Sequence, residues 1–358
     1  MGSFWNRRIL KLHLTRIVDS DNPNKEQSTI KNGNSNATDR KDLGAGTSLR
    51  VLQPAGQVPR VSASTAQDFE KIMKRNLPVI LTDLNIGTCS RLWTPQYLVE
   101  KVGSERQVTV HTQSSSDRLT FQTKNFAYVQ TPFAKFIEDV QAGKPIYLRA
   151  VAVDKPFKKP TNLEKDFPTI AQDFQLPPEL IYVVENMHSS PLRIAGPVTL
   201  WLHYDVLANV LCQIRGKKTL RLYPPTDFMK LRIPPGASSS DIDVFAPDEP
   251  ALAETGPVEA VLKPGDVLFI PPLWCHAARP DEGMSVAVNV FFRKMESGYA
   301  AGRDVYGNRD LQAYEQGRRD IQKINKAFED LPGDMARFYL ERLAAELQEK
   351  AMDTASNT

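Results

Sequence analysis

Cysteine is scarce in this chain of 358 residues, and its scarcity excludes two structural classes. Cys89, Cys212 and Cys275 are odd in number and show no C-x-x-C spacing. Neither a disulfide framework nor a thiolate zinc cluster is expected, and a reducing compartment suits such thiols. Long apolar runs are missing as well: none approaches the ~18 residues that span a bilayer, so no membrane segment is expected. Charge of one sign is not in excess. A formal net charge of +3 excludes a global electrostatic grip on nucleic acid. No period of roughly 20–50 residues recurs, which excludes solenoids and propellers. What is present is an ordinary globular composition, 41% hydrophobic and 24% charged, able to bury a core without covalent staples. The length admits two domains or one large β-barrel.

Basic residues concentrate early: positions 1–60 hold ten Lys/Arg against five Asp/Glu. Arg7, Arg8, Lys11 and Arg16 lie among Phe4, Trp5, Ile9, Leu10, Leu12 and Leu14, with no acid before Asp19. A mitochondrial presequence has this character, and so does the ragged start of a longer protein; a cytoplasmic location is the expectation adopted. Asn6 stands where a myristoylation signal after Met1-Gly2 needs Ser or Thr. Residues 19–48 are polar with almost no large apolar side chain, so 1–48 is expected to be a disordered tail. Two local basic clusters follow, at Lys155, Lys158 and Lys159, and at Arg215, Lys217, Lys218 and Arg221. Each reads as a solvated turn or as a rim facing phosphates.

Residues 49–180 read as a mixed helix/strand part. A helix is expected at 65–75, strands at 77–84, 106–112, 118–122 and 144–153, and a helix capped by Thr131 and Pro132 that runs to Gln141. From 181 to 294 short apolar strands alternate with Pro/Gly turns: 181–185, 197–205, 208–215, 218–224, 258–262, 266–271, 274–279 and 284–293. Gly216-Lys217 reads as a tight hairpin turn. Many short strands at this spacing indicate a mainly β fold with flanking helices, a jelly-roll or cupin barrel, also called a double-stranded β-helix. Residues 295–350 turn helical, with Asp334 as N-cap and an apolar stripe at Ala336, Leu340, Leu343 and Leu347. The stripe packs on the barrel or on a second copy as a homodimer. Residues 351–358 are expected to be a disordered end.

His203 and Asp205 stand two apart in TLWLHYD, so on a strand their side chains share a face. His276 follows the turn and strand KPGDVLFIPP, which returns the chain towards that first strand. Two imidazoles and one carboxylate bound facially leave positions open, the arrangement of non-haem Fe(II) oxygenases. Each residue alone has an ordinary explanation: a core histidine bonded to a carbonyl, a turn cap, a strand-edge imidazole. The coincidence carries weight because the chain holds five histidines, and His13, His111 and His188 lack such a partner pattern.

A chelating 2-oxo acid such as 2-oxoglutarate needs a cation for its far carboxylate. Lys218 shares strand parity with Leu220 and Leu222 and so points inward, costly for an ammonium unless it meets an anion. Its alternative is to snorkel to the barrel mouth. Asn209 has the parity of His203 and Asp205, Asn289 lies on the closing strand, and Tyr147 offers a hydroxyl; each is otherwise a satisfied interior polar group. Thr199 is a weaker candidate.

The runs WLHYDVLANVLCQIRGKKTLRLYPP, KPGDVLFIPPLWCHAA and SVAVNVFFRK resemble the JmjC family near its asparaginyl-hydroxylase-type and tRNA-hydroxylase-type members. The resemblance implies iron on His203, Asp205 and His276, with 2-oxoglutarate among Tyr147, Asn209, Lys218 and Asn289. GYAAGRDVYGNRDLQAYEQGRRDI and LPGDMARFYLERLAAEL extend it to the C-terminal JmjC-like region of a fungal tRNA-wybutosine-synthesizing family, over residues 49–350. That family carries methyltransferase and kelch parts upstream, absent from this sequence. The implied substrate is the modified guanosine at position 37 in the anticodon loop of phenylalanine tRNA, changed by hydroxylation or by methoxycarbonylation. A protein hydroxylase or demethylase of the same fold, and a non-catalytic tRNA-binding module, are the alternatives.

Overall fold

The structure is a computed structural model that describes residues 56–113, 116–156, 158–246, 248–281, 283–293 and 312–356. The expected tail at 1–48, its presequence-like start and the 298–311 stretch of the resemblance lie outside those residues.

The N-terminal part supplies β1 (Arg60–Ser62), β2 (Val79–Thr82), β3 (Gln107–Thr112), β4 (Ala127–Pro132) and β5 (Ile146–Leu148). The following part supplies β6 (Met187–Ser189), β7 (Leu192–Ala195), β8 (Leu202–His203), β9 (Ala208–Arg215) and β10 (Lys218–Tyr223). The chain then adds β11 (Ser239–Ser240), β12 (Val258–Leu262), β13 (Val267–Ile270), β14 (Cys275–Pro280) and β15 (Ser285–Phe292). One sheet runs β1-β2-β13-β9-β15-β7-β5-β3-β4, with β6 also on β15; the other runs β11-β8-β14-β10-β12. Pairing is antiparallel apart from β1 with β2. Two facing sheets of this kind form the expected jelly roll.

Alternation along β9 shows how the layers divide. Val210, Cys212 and Ile214 join the cluster that holds Phe69, Trp93, Phe133 and Phe136 from the N-terminal helices. Leu211, of the other parity, packs between the sheets with Leu220, Leu222, Leu262, Leu268 and Ile270. At its centre the larger sheet is therefore buried on both faces, which explains why β9 and β15 read as nearly unbroken apolar runs. Helix Ala66–Arg75 caps its start with the Thr65 side chain and ends at Asn76 in the left-handed region.

Several expectations are corrected. Residues 181–185 are a helix, Ile181–Glu185, because Pro177 and Pro178 start a 3-10 turn that feeds it and buries Leu180 and Val183. Strands β6 and β7 follow instead, split by Pro191, which hides their alternation. The expected strand 197–205 reduces to Leu202–His203, and 144–153 to Ile146–Leu148. Residues 118–122 make one bridge, Arg118 with Thr199, and then turn. Gly216-Lys217 is no hairpin: β9 pairs with β13 and β15, β10 with β12 and β14, so this turn carries the chain from one sheet to the other. Gly216 has φ +71°, and a Cβ there would stand 2.5 Å from the Met284 carbonyl oxygen. Helix Phe133–Gln141 has Pro132 at its N-cap, without a capping side chain from Thr131.

Two C-terminal helices follow, Gln312–Ala327 and Gly333–Ser356. The second starts one residue before Asp334, which therefore sits in the first turn, and it continues through most of the expected disordered end. No glycine or proline follows Gly333 to stop it. No helix among the described residues is long and apolar enough to cross a membrane.

Candidate metal centre

His203 on β8 and His276 on β14 are direct cross-strand partners, with ring centroids 4.4 Å apart. Asp205 lies just past β8, and its Oδ2 is 3.7 Å from His276 Nε2. One ligating atom from each of the three lies within 4.8 Å of the others. The return of the chain is pinned where the sequence turns: the Leu273 amide donates to the Asp205 carbonyl at 2.8 Å, with Leu273 at φ +67°.

Both imidazoles are oriented through the main chain. His203 Nδ1 meets the Trp201 carbonyl at 3.0 Å, and His276 Nδ1 meets the Trp274 carbonyl at 2.9 Å. Each Nδ1 must donate to its carbonyl, so the neutral ring keeps its lone pair on Nε2, towards the shared centre. Burial pushes both pKa values down to about 4, so both rings are neutral near pH 7. His276 and Asp205 are buried, whereas His203 is partly exposed, so the centre opens on the side of His203.

The other expected residues line the same interior. Lys218 is buried, in parity with Leu220 and Leu222 as expected, and no carboxylate pairs with it among the described residues. Burial first, then the charge of Arg193, pushes it down to about 8. Asn209 and Asn289 face the interior from adjacent strands β9 and β15. Among the described residues neither polar atom of the Asn209 side chain has a hydrogen-bond partner, nor has Asn289 Oδ1. Such orphaned groups are rare in a native interior, where a ligand, ion or water ordinarily completes them. Tyr147 is buried on β5; burial raises its pKa, while the positive charge of Arg193 pulls the other way. Thr199 is buried, and its main chain brackets Asp117 and Leu119.

The expectations miss Arg193. It lies on β7 opposite Ala287, a residue of the interior cluster, and its charge is felt by Tyr147, His203, Lys218 and His276. Leu192 and Ile194 face the helix layer, so Arg193 between them faces the interior. His111 is also at the site, within 5.6 Å of the Tyr147 ring and 6.1 Å of Trp201. Burial, and next the charge of Arg149, pushes it down to about 3.

In the second basic cluster Lys217 is exposed, while the other three are engaged by the fold. Arg215 donates to the Trp93 carbonyl, Arg221 reaches the Val244 carbonyl and Glu259, and Lys218 is inside. In the first cluster Lys159 pairs with Asp154, and Lys158 is exposed. A cleft of about 680 Å³, lined by Arg106, Thr109, Arg149, Lys165 and Asp166 among others, contains none of the expected site residues.

The family model of the cupin-like domain matches residues 65–298. The chain is 51% identical over 339 residues to tRNA wybutosine-synthesizing protein 4 of Aspergillus oryzae, covering 94% of this chain and 32% of that protein. It is 36% identical over 294 residues to tRNA wybutosine-synthesizing protein 5 of Danio rerio, covering 78% and 88%. Against protein 5 of Gallus gallus identity is 34% over 314 residues, covering 84% and 96%. The chain thus spans about a third of the fungal relative and most of the vertebrate ones.

Proposed function

Since the chain belongs to the cupin-like domain family, we propose that it is an Fe(II)- and 2-oxoglutarate-dependent enzyme of wybutosine formation. Its substrate in this reading is the modified guanosine at position 37 of phenylalanine tRNA, and its reaction is hydroxylation. The relatives' names supply the pathway. The observation that carries the chemistry is a two-histidine, one-carboxylate cluster facing a buried lysine and two asparagines; among the described residues the lysine lacks an ion-pair partner and the asparagines keep side-chain atoms without hydrogen-bond partners.

The donor set suits iron: neutral imidazole nitrogen and carboxylate oxygen, three ligands with further positions left open. The interior suits a dicarboxylate. Lys218 and Arg193 bring two positive charges against the one carboxylate of the cluster, Asp205, so a divalent cation would raise the positive excess and a dianion would offset what the cation adds. Lys218 would hold the far carboxylate, Asn209 and Asn289 would complete their hydrogen bonds on the ligand, and Tyr147 would donate its hydroxyl. When bound, this pair supplies the O₂-dependent oxidising chemistry that hydroxylation requires. The chain's own residues bind and orient: main-chain carbonyls fix both imidazole tautomers, and Leu211, Leu220, Leu222 and Ile270 keep water from the Lys218 side.

Mass spectrometry of phenylalanine tRNA from cells lacking the gene tests this reading. Loss or arrest of the base-37 modification at an under-hydroxylated stage is expected. An unchanged base 37 would remove it, and an intermediate lacking only a methoxycarbonyl group would replace hydroxylation by methoxycarbonylation.

A further inference from the structure

We infer that Phe121 and Trp201 form an aromatic platform that seats one unstacked purine base beside the metal ligands. The inference rests on the tRNA reading and names the subsite through which such a substrate would be held. Trp201 is two residues before His203, its carbonyl holds the His203 ring, and its own ring lies 6.3 Å from that ring. It therefore stands on the open side of the centre, where His203 is partly exposed. Buried Phe126 stacks on Trp201 at 5.6 Å and 10°, which fixes the indole plane. Phe121 lies 5.0 Å from Trp201 at 38° and is 48% exposed, so the ring open to a base is that of Phe121.

An exposed phenylalanine is not positioned by burial, and this one is positioned by hydrogen bonds. Asp241 accepts from the amides of Gln122 and Thr123 at 3.1 and 2.9 Å. The Gln122 side chain donates to the carbonyl and hydroxyl of Ser239, at 3.2 and 2.9 Å. Ser239 is the strand partner of His203. The loop that presents Phe121 is thus strapped to β11, the strand paired with the one that carries His203. Packing alone does not explain so many hydrogen bonds holding an apolar ring in water.

Cations flank the aromatic group. The Arg149 guanidinium lies 3.8 Å from the centre of the Tyr128 ring and the Lys124 ammonium 5.3 Å, while Tyr128 itself lies 5.6 Å from Phe126. Aromatic faces for bases, with cations beside them for phosphates, are what single-stranded nucleic acid recognises. A base that undergoes chemistry must leave its stack, and it needs a replacement surface at the reacting centre. An extended peptide has no such need for paired planar faces.

The test uses the full chain and a stem-loop RNA carrying 2-aminopurine immediately 3′ of its anticodon, with the same stem-loop abasic at that position. Wild type should quench the 2-aminopurine fluorescence on binding. Phe121→Ala and Trp201→Ala should each weaken binding by on the order of ten- to hundred-fold. Phe121→Tyr should restore it, and Phe121→Leu, apolar but without a π face, should not. The log–log salt dependence should stay as in wild type, since every phosphate-facing cation is still in place. The abasic RNA should bind wild type as weakly as the base-bearing RNA binds Phe121→Ala. Phe121 is exposed, so its variants keep the fold, which retained Fe(II) binding verifies. If all variants and the abasic RNA bind like wild type with base, the platform is wrong while the tRNA reading stands. If wild type binds neither RNA, the tRNA reading falls and the platform with it; tight binding of a peptide by the same surface would then identify a protein hydroxylase.

Discussion

The barrel interior and the C-terminal helices are incomplete in opposite ways. Between the sheets the deficit is polar: among the described residues Lys218 has no anion, and Asn209 and Asn289 keep orphaned atoms in a region otherwise filled by Leu211, Leu220, Leu222 and Ile270. On the helices the surplus is apolar: Phe338, Tyr339, Leu340 and Leu347 are exposed, Leu347 at 63%. A buried polar deficit calls for a small ligand that supplies the missing partners. An exposed apolar surplus calls for another surface. Chemistry and assembly thus make separate demands on the molecule, and each can be tested without disturbing the other.

The largest effect is expected at the metal. His276→Ala or Asp205→Ala should abolish Fe(II) binding while leaving the far-ultraviolet circular dichroism unchanged, because two donors are too few to hold the ion. Undiminished iron in either variant would show that the cluster is not the site.

Next is the sign of a charge. Lys218 is held at about 8 in the fold against about 10.5 in the unfolded chain, so between those values the unfolded chain binds the extra proton. The ligand-free protein should therefore gain stability as pH rises from about 8 to about 10.5, and should carry the full penalty below about 8. Lys218→Met should remove this dependence and stabilise the empty protein at pH 7 by on the order of 3 kcal/mol. Urea melts at two pH values would show it; a destabilised Met variant would mean that the ammonium has a partner after all.

Light scattering addresses the assembly end. We propose that the helix face carrying Leu340 and Leu347 joins two copies, so a chain ending near residue 330 should be monomeric where the full chain is dimeric. The same oligomeric state in both would return the stripe to another role. The smallest effect is on the surface. Lys158→Ala with Lys159→Ala should flatten the salt dependence of tRNA binding by a log–log slope of about 0.7 to 0.9 for each phosphate no longer neutralised. Lys159 already pairs with Asp154, so the change should fall short of two such increments.

The ligand cluster is legible in the sequence because its geometry is short-range or strand-bound: H-x-D fixes two side chains on one face, and the run through Pro271 and Pro272 returns the third. Lys218 is legible by parity with Leu220 and Leu222. Arg193 is not, because Pro191 and Gly196-Pro197 bracket a four-residue strand too short to show its period. The sheet switch at Gly216 is equally hidden, since a two-residue turn looks the same whether the strands it joins pair or part. Arg215 and Arg221 mislead as a basic cluster, because charge counted along the chain ignores the carbonyls and Glu259 that meet them in the fold. The Phe121 platform depends on residues more than a hundred positions apart, Gln122 with Ser239 and Asp241, and no local pattern announces it.

The central claim is that the barrel's polar deficit is a 2-oxoglutarate site beside iron, and anaerobic titration of the Fe(II)-loaded protein with 2-oxoglutarate tests it most directly. Wild type should develop the visible absorption of an iron-bound 2-oxo acid in a saturable way, and Lys218→Met should bind iron yet fail to develop it. No absorption from wild type at any concentration, or the same titration curve from wild type and Lys218→Met, would contradict the claim.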